Sequence, residues 1–145
     1  MRDGDKFSER LAELMLYADN ITTDKLGEKT GFGGSTIRLW KTGKRLPSLS
    51  NAIKLATYFN CSLDFLFART DGERKYTQKP LPQFHAHFLL FLEKNGISWY
   101  KVVKDTKISK SNIQDWRDGR EPLIPTLIEL ADYFKCSLDE LVGLE

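Results

Sequence analysis

Seven residues near the middle of the chain, Asn60-Cys61-Ser62-Leu63-Asp64-Phe65-Leu66, return as Lys135-Cys136-Ser137-Leu138-Asp139-Glu140-Leu141, an offset of 75. Before them, Leu55-Ala56-x-Tyr58-Phe59 returns as Leu130-Ala131-x-Tyr133-Phe134. Further back, Ser35-x-Ile37-x-x-Trp40-x-x-Gly43 returns as Ser111-x-Ile113-x-x-Trp116-x-x-Gly119, at an offset of 76. Phe7, Leu11 and Leu14 align with Phe84, Phe88 and Phe91 at 77. One architecture must therefore account for both halves, a tighter constraint than any composition. The offset changes by one residue between Leu16 and Ile21 and again between Gly43 and Pro47. Both places read as turns, where a change of length is tolerated.

The repeat divides the chain into a first domain at 5–68, a linker at 69–82 and a second domain at 83–145. Each copy of roughly 60 residues is near the lower size at which a domain folds alone. The linker is polar, holds Gly72 and two prolines, and spans 14 residues, a reach of up to ~46 Å.

Both copies read as five short helices, and no strand is expected. Phe7, Leu11 and Leu14, or Phe84, Phe88 and Phe91, lie on one face of the first helix. Thr22 or Ser98 caps the second, which carries Leu26 or Val102. A break follows at Gly31-Phe32 or Lys107-Ile108. The third helix turns Ile37 or Ile113 inward, runs to Trp40 or Trp116, and ends at Gly43 or Gly119. The fourth carries Ile53, Leu55, Ala56 and Phe59, or Ile128, Leu130, Ala131 and Phe134. Ser62 or Ser137 caps the fifth, with Leu63 and Leu66, or Leu138 and Leu141, inward.

Composition excludes several classes. The chain is 41% hydrophobic and 29% charged, as globular proteins are and disordered tails are not. No run approaches the ~18 apolar residues of a membrane span. The charged start Met1-Arg2-Asp3-Gly4-Asp5-Lys6 has no apolar core behind it, so no secretory signal is expected. Two cysteines do not make a disulfide scaffold. Cys61 and Cys136 occupy one repeat position and read as buried thiols. A cytoplasmic protein is expected.

The second and third helices, joined by a short turn, form a helix-turn-helix pattern. Thr22-Thr23-Asp24-Lys25-Leu26-Gly27-Glu28-Lys29-Thr30-Gly31-Phe32, then Ser35-Thr36-Ile37, Trp40, Gly43, Pro47 and Ser62-Leu63-Asp64, resembles the Cro/repressor-type (XRE, lambda-repressor-like) DNA-binding domain. Gly96-Ile97-Ser98, Val102, Ser111-Asn112-Ile113, Trp116, Gly119, Pro122 and Ser137-Leu138-Asp139-Glu140-Leu141 resemble it equally. The resemblance covers all but the linker and the first few residues. It implies an all-α chain of two tandem lambda-repressor-like five-helix domains.

It also implies a docking mode, with the third helix in the major groove of double-stranded DNA and the second across the phosphate backbone. The recognition helices would span about 33–41 and 109–117. The family's base-reading positions fall on Gly34, Ser35 and Leu39, and on Lys110, Ser111 and Asp115. Polar candidates for base reading are Ser35, Thr36 and Arg38 in the first copy and Lys110, Ser111, Asn112, Gln114 and Asp115 in the second. Lys110 can donate to guanine and Asp115 can accept from cytosine, whereas Gly34 has no side chain to read with. The second copy is therefore expected to be the better reader. Phosphate contacts are expected at Thr22, Thr23, Lys41, Lys44 and Arg45, and at Ser98, Arg117 and Arg120.

Charge placement agrees with this. The formal net charge is only +2. Residues 22–45 hold six basic and two acidic residues, and 94–120 hold seven and three, so each segment carries +4. Residues 121–145 hold one basic and six acidic residues, a net −5. Two basic helix-turn-helix segments are thus hidden in a near-neutral chain. Asp118, where a phosphate would approach, opposes the trend. Many family members pair an Arg late in the first helix with a Glu after the third. Here those positions hold Met15 with Lys41 and Leu92 with Arg117, so neither copy makes the pair.

Trp40 and Trp116 read as core anchors. Trp99 is open between local packing and a partner contact. His85-Ala86-His87 lacks the supporting ligands of a metal site. No catalytic constellation, cofactor motif or metal site is recognisable, so an enzyme is not expected. The leading expectation is a sequence-specific transcriptional regulator of bacterial or phage type, acting as an intrachain pseudo-dimer or a homodimer. Half-sites one turn apart need about 34 Å, within the linker's reach. The alternative is a protein-interaction module of antitoxin or anti-repressor type, favoured by Gly33-Gly34, Leu39, Asp118 and Trp99.

Overall fold

A computed structural model of the chain describes residues 2–72 and 79–145. Residues 73–78, the middle of the expected linker, lie outside the described residues, as does Met1. The chain divides into two compact units, Met1–Tyr76 and Thr77–Glu145. The first contains α1 (Asp3–Tyr17), α2 (Thr23–Thr30), α3 (Gly34–Lys41), α4 (Leu49–Phe59) and α5 (Leu63–Leu66). The second contains α6 (Phe84–Asn95), α7 (Trp99–Asp105), α8 (Lys110–Arg117), α9 (Ile124–Phe134) and α10 (Leu138–Val142). The described residues hold ten helices and no strand.

Hydroxyl caps start most of these helices. Thr22, Ser48 and Ser62 accept from the amides of Lys25, Asn51 and Phe65. Ser98, Ser109 and Ser137 do the same in the second unit. Such a cap contributes about 1 kcal/mol, which matters for helices too short to persist alone.

The first change of repeat offset has a physical origin. After α1 two residues, Asp19 and Asn20, take positive φ, and the Ile21 amide reaches back six residues to the Met15 carbonyl. After α6 Gly96 alone turns the chain, and the Ile97 amide reaches five residues back to Leu92. The extra residue is absorbed where no packing depends on it.

Each core gathers around its first helix. Phe7, Leu11, Met15, Leu26, Ile37, Trp40, Leu55 and Leu66 are buried in the first unit. Phe84, Phe88, Leu92, Val102, Trp116, Leu130 and Leu141 are buried in the second. Several inward faces differ from expectation. Leu14 is half-buried and Met15 is buried instead. In α4 and α9 the buried stripe runs Leu49, Ala52, Leu55, Ala56 and Ile124, Leu127, Leu130, Ala131. Ile53, Phe59, Ile128 and Phe134 lie at its margin, half-exposed. Ile113 and Cys136 are likewise half-buried, whereas Ile37 and Cys61 are buried. Met15 and Leu92, where the resemblance implies an Arg, are both 3% exposed. Packing replaces the ion pair there, an exchange that costs little or nothing.

One polar contact recurs in both units with different chemistry. Arg10 is buried and donates to the Phe65 carbonyl (2.7 Å), with its guanidinium 3.8 Å over the Phe65 ring. His87, the aligned residue, donates through Nε2 to the aligned carbonyl of Glu140 (3.1 Å). Each ties the first helix to the short last one. Arg10 also reaches the Thr70 carbonyl and the Asp71 carboxylate, so residues 70–71 lie against the first unit.

Candidate nucleic-acid interface

The turn between the second and third helix decides how the recognition helix is presented. Thr30 and Thr106 play the same part in it. Each hydroxyl donates to the carbonyl four residues earlier, Leu26 at 2.6 Å or Val102 at 2.7 Å. Each then accepts the amide two residues later, that of Phe32 or Ile108. The rest differs. In the first unit Gly31 turns the chain at φ +84°, and the Phe32 carbonyl closes on Gly27 so tightly that a Cβ there would sit 2.7 Å from its oxygen. The second unit has Val103 and Lys107 at those positions. Its helix ends instead on Thr106 in an extended conformation, and the Lys107 amide donates to Glu129 Oε2 on α9 (3.2 Å).

The recognition helices start differently too. Gly33 begins α3 with no side-chain cap. Ser109 begins α8 with a capping box: its hydroxyl accepts from the Asn112 amide, and Asn112 Oδ1 accepts from the Ser109 amide at 2.9 Å. The far ends are held alike. The Ser8 hydroxyl donates to the Lys41 carbonyl, and Gln83 Nε2 donates to the Trp116 carbonyl (2.8 Å). Each recognition helix is thereby fixed to the first helix of its own unit.

The side chains expected to read bases fall into two groups. Ser35, Arg38, Lys110, Ser111 and Gln114 are exposed, and Thr36, Asn112 and Asp115 are half-exposed. Four of the five in the second unit are tied internally. Ser111 is 2.8 Å from the Ser109 hydroxyl, and Asn112 serves the cap. Gln114 donates to Asp118 (3.0 Å), and Asp115 pairs with Arg120 (3.0 Å). Lys110 has no such partner among the described residues. In the first unit the same holds for Ser35, Thr36 and Arg38.

The residues expected on phosphates are also at the surface. Lys41, Lys44, Arg45, Arg117 and Arg120 are exposed, as are the caps Thr22 and Ser98, while Thr23 is half-exposed. Of the five cations only Arg120 is held in an ion pair among the described residues. Asp118 caps the end of α8 and accepts from Gln114.

Trp99 is absorbed by local packing. Its ring meets Phe88 edge-on at 5.2 Å, tilts against Trp116 at 6.4 Å and stacks on His85 at 5.8 Å. His85 Nε2 is buried without a partner among the described residues. Burial, and secondarily the Arg117 charge, push that imidazole below its ordinary pKa. The two histidines diverge, and no group of three metal-ligating side chains occurs among the described residues. No described helix is long and apolar enough to cross a membrane. Thr30, Thr106, Gln83, Ser109 and Arg10 were not singled out in the sequence. The Thr30–Thr106 match at offset 76 was the available signal; Arg10 and His87 share a role without sharing a residue type.

Known protein families match both units. A helix-turn-helix family model matches residues 11–66, and a model of the Cro/C1-type HTH DNA-binding domain matches residues 88–145. The chain is 28% identical over 102 residues to the uncharacterized HTH-type transcriptional regulator YobD of Bacillus subtilis (strain 168), spanning 68% of this chain and 84% of that protein. No solved structure matches it. The chain therefore carries two helix-turn-helix domains in tandem, the second of them a Cro/C1-type HTH DNA-binding domain.

Proposed function

We propose that the protein is a sequence-specific DNA-binding transcriptional regulator in which α3 and α8 each enter a major groove. The observation that carries this reading is the state of the exposed cations beside those helices. Lys41, Lys44 and Arg45 in one unit, and Lys110 and Arg117 in the other, have no acidic partner among the described residues. Lys41, Lys44, Arg45 and Arg117, at and beyond the end of the third helix, would meet phosphates with that helix in the groove, and Lys110, at its start, would meet a base edge. Thr22, Thr23 and Ser98 add hydroxyls and amides at the second helix of each unit. Two such faces in one chain suit two half-sites, without a second copy of the protein.

Affinity for a duplex should fall linearly in log–log form as salt rises, because each phosphate contact releases a counterion. Fluorescence anisotropy with a labelled duplex measures this slope. Lys44→Ala and Arg117→Ala should each make it shallower by about one. Duplex retention that ignores salt, or no retention, would move the reading to a protein-interaction module. The exposed apolar residues Tyr100 and Leu123 are what that reading would use.

A further inference from the structure

Gly34 occupies the first helical position of α3, where a long side chain would reach the bases. A Cβ built there would lie 3.5 Å from Arg38 Nη1, 3.6 Å from Arg38 Nη2 and 3.3 Å from Asp24 Oδ1. The guanidinium thus lies back over the first turn of its own helix, in space that Gly34 leaves open. Helix geometry allows this, since side chains lean toward the N-terminus and i+4 stacks on i. We infer that Arg38, laid across Gly34, is the base-reading cation of the first unit, and that Gly34 is the residue that aims it. This rests on the DNA-binding reading above and assigns the contact within it.

Three observations support the assignment. First, Arg38 is exposed and has no hydrogen bond or ion pair among the described residues, so its planar fork of donors is available. That fork matches the O6 and N7 acceptors of guanine. Second, the place is right, because the N-terminal residues of a recognition helix are those that meet base edges. Third, Asp24 on α2 borders the same space. A carboxylate there repels a phosphate, which favours a base edge as the target over the backbone.

The second unit fills the corresponding place in another way. Lys110 aligns with Gly34 and supplies a cation directly. Gln114 aligns with Arg38, but its amide is drawn the opposite way along the helix, to Asp118 (3.0 Å). Tyr100 aligns with Asp24 and is 76% exposed. Both recognition helices therefore offer a single cation over the first turn, from position 38 in one and position 110 in the other. The residue that looked mute in the sequence is the one that makes room.

The test uses the full chain and the duplex it enriches from a random pool, with every base pair then changed in turn and each affinity measured. Arg38→Ala should abolish the preference at one G·C pair, a loss of about tenfold or more there, and leave the other positions unchanged. Gly34→Leu should erase the same preference while keeping Arg38 in the sequence. Gly34→Leu also raises helix propensity, and the emission of buried Trp40 reports that the unit stays folded. Uniform weakening of all sequences by Arg38→Ala, with a shallower salt slope, would make Arg38 a phosphate contact and overturn the inference. So would a Gly34→Leu profile identical to the native one. If the native chain enriches no duplex, the DNA-binding reading falls and takes this assignment with it. If it enriches one and neither variant changes the profile, this assignment falls alone.

Discussion

The first unit builds its helix-turn-helix from glycines, and the second builds the same shape from side-chain hydrogen bonds. Gly27 lets the Phe32 carbonyl close on α2, and Gly31 takes the left-handed turn. The second unit has Val103 and Lys107 there, and it holds its turn through Glu129 and its recognition helix through the Ser109–Asn112 box. The Thr30 and Thr106 hydroxyls are shared, as are the Thr22 and Ser98 caps of the second helices. The comparison teaches that the presentation of the third helix is what is kept, while the chemistry that secures it is exchangeable. It also has a consequence for reading. The second unit's polar groups are largely spent on one another, and the first unit's are not.

The largest expected effects lie in the cores. Phe88 meets the rings of Phe84, Phe91, Trp99, Trp116 and Phe134, whereas Phe7 meets Trp40 and Phe67. Phe88→Ala should cost about 3–5 kcal/mol. Phe7→Ala should cost about 1 kcal/mol less, for want of the additional ring pairs. Denaturant unfolding followed by hydrogen exchange in each unit checks the order. Equal losses would show that the aromatic cluster adds nothing beyond buried area.

Exchanging the turns comes next. Gly27→Val, which copies the second unit, should destabilise the first by about 2 kcal/mol, because backbone rather than a flexible side chain blocks the new atoms. Val103→Gly should cost about 1 kcal/mol from helix propensity and lost contact. Exchange protection of the α2 and α7 amides reads both. A neutral Gly27→Val would mean that the two turns are not chemically distinct.

Caps should give a smaller, opposite pair of effects. Ser109→Ala is expected to lose about 1 kcal/mol from the second unit, and Gly33→Ser to add a few tenths to the first. Thermal midpoints of the two variants should move in opposite directions.

Acid should separate the units least but most simply. His85 has a depressed pKa in the folded state, by burial first and then by Arg117. The folded second unit therefore binds fewer protons than the unfolded one. Its contribution is complete above the ordinary imidazole range and is lost as pH falls through that range toward the lower folded value. Both histidines of the chain lie in the second unit, so the first should show no loss from this source. Exchange protection between pH 7.5 and 5.5 tests this, and His85→Phe should remove the effect.

The repeat makes the ten helices, the caps Thr22, Ser98, Ser62 and Ser137, and the two helix-turn-helix segments legible, because aligned copies confirm one another. Where the copies reach one end by different residues, the signal vanished. Arg10 and His87 both donate to equivalent carbonyls, but as different residue types. Spacing alone chose Leu14 over Met15 and Ile53 over Ala52, since helical period fixes a face only to within one residue. Trp99 could not be placed from the sequence because its partners come from α6 and α8. Gly34 read as an absence, and the use of that absence depends on where Arg38 lies.

The central claim is that both units read DNA, each through one cation over the first turn of its recognition helix. Selection of bound duplexes from a random pool at moderate salt, using the native chain, tests it most directly. Two enriched half-sites at a fixed spacing are expected, one losing a base preference with Arg38→Ala and the other with Lys110→Ala. A single short motif that answers to only one of these residues would contradict it.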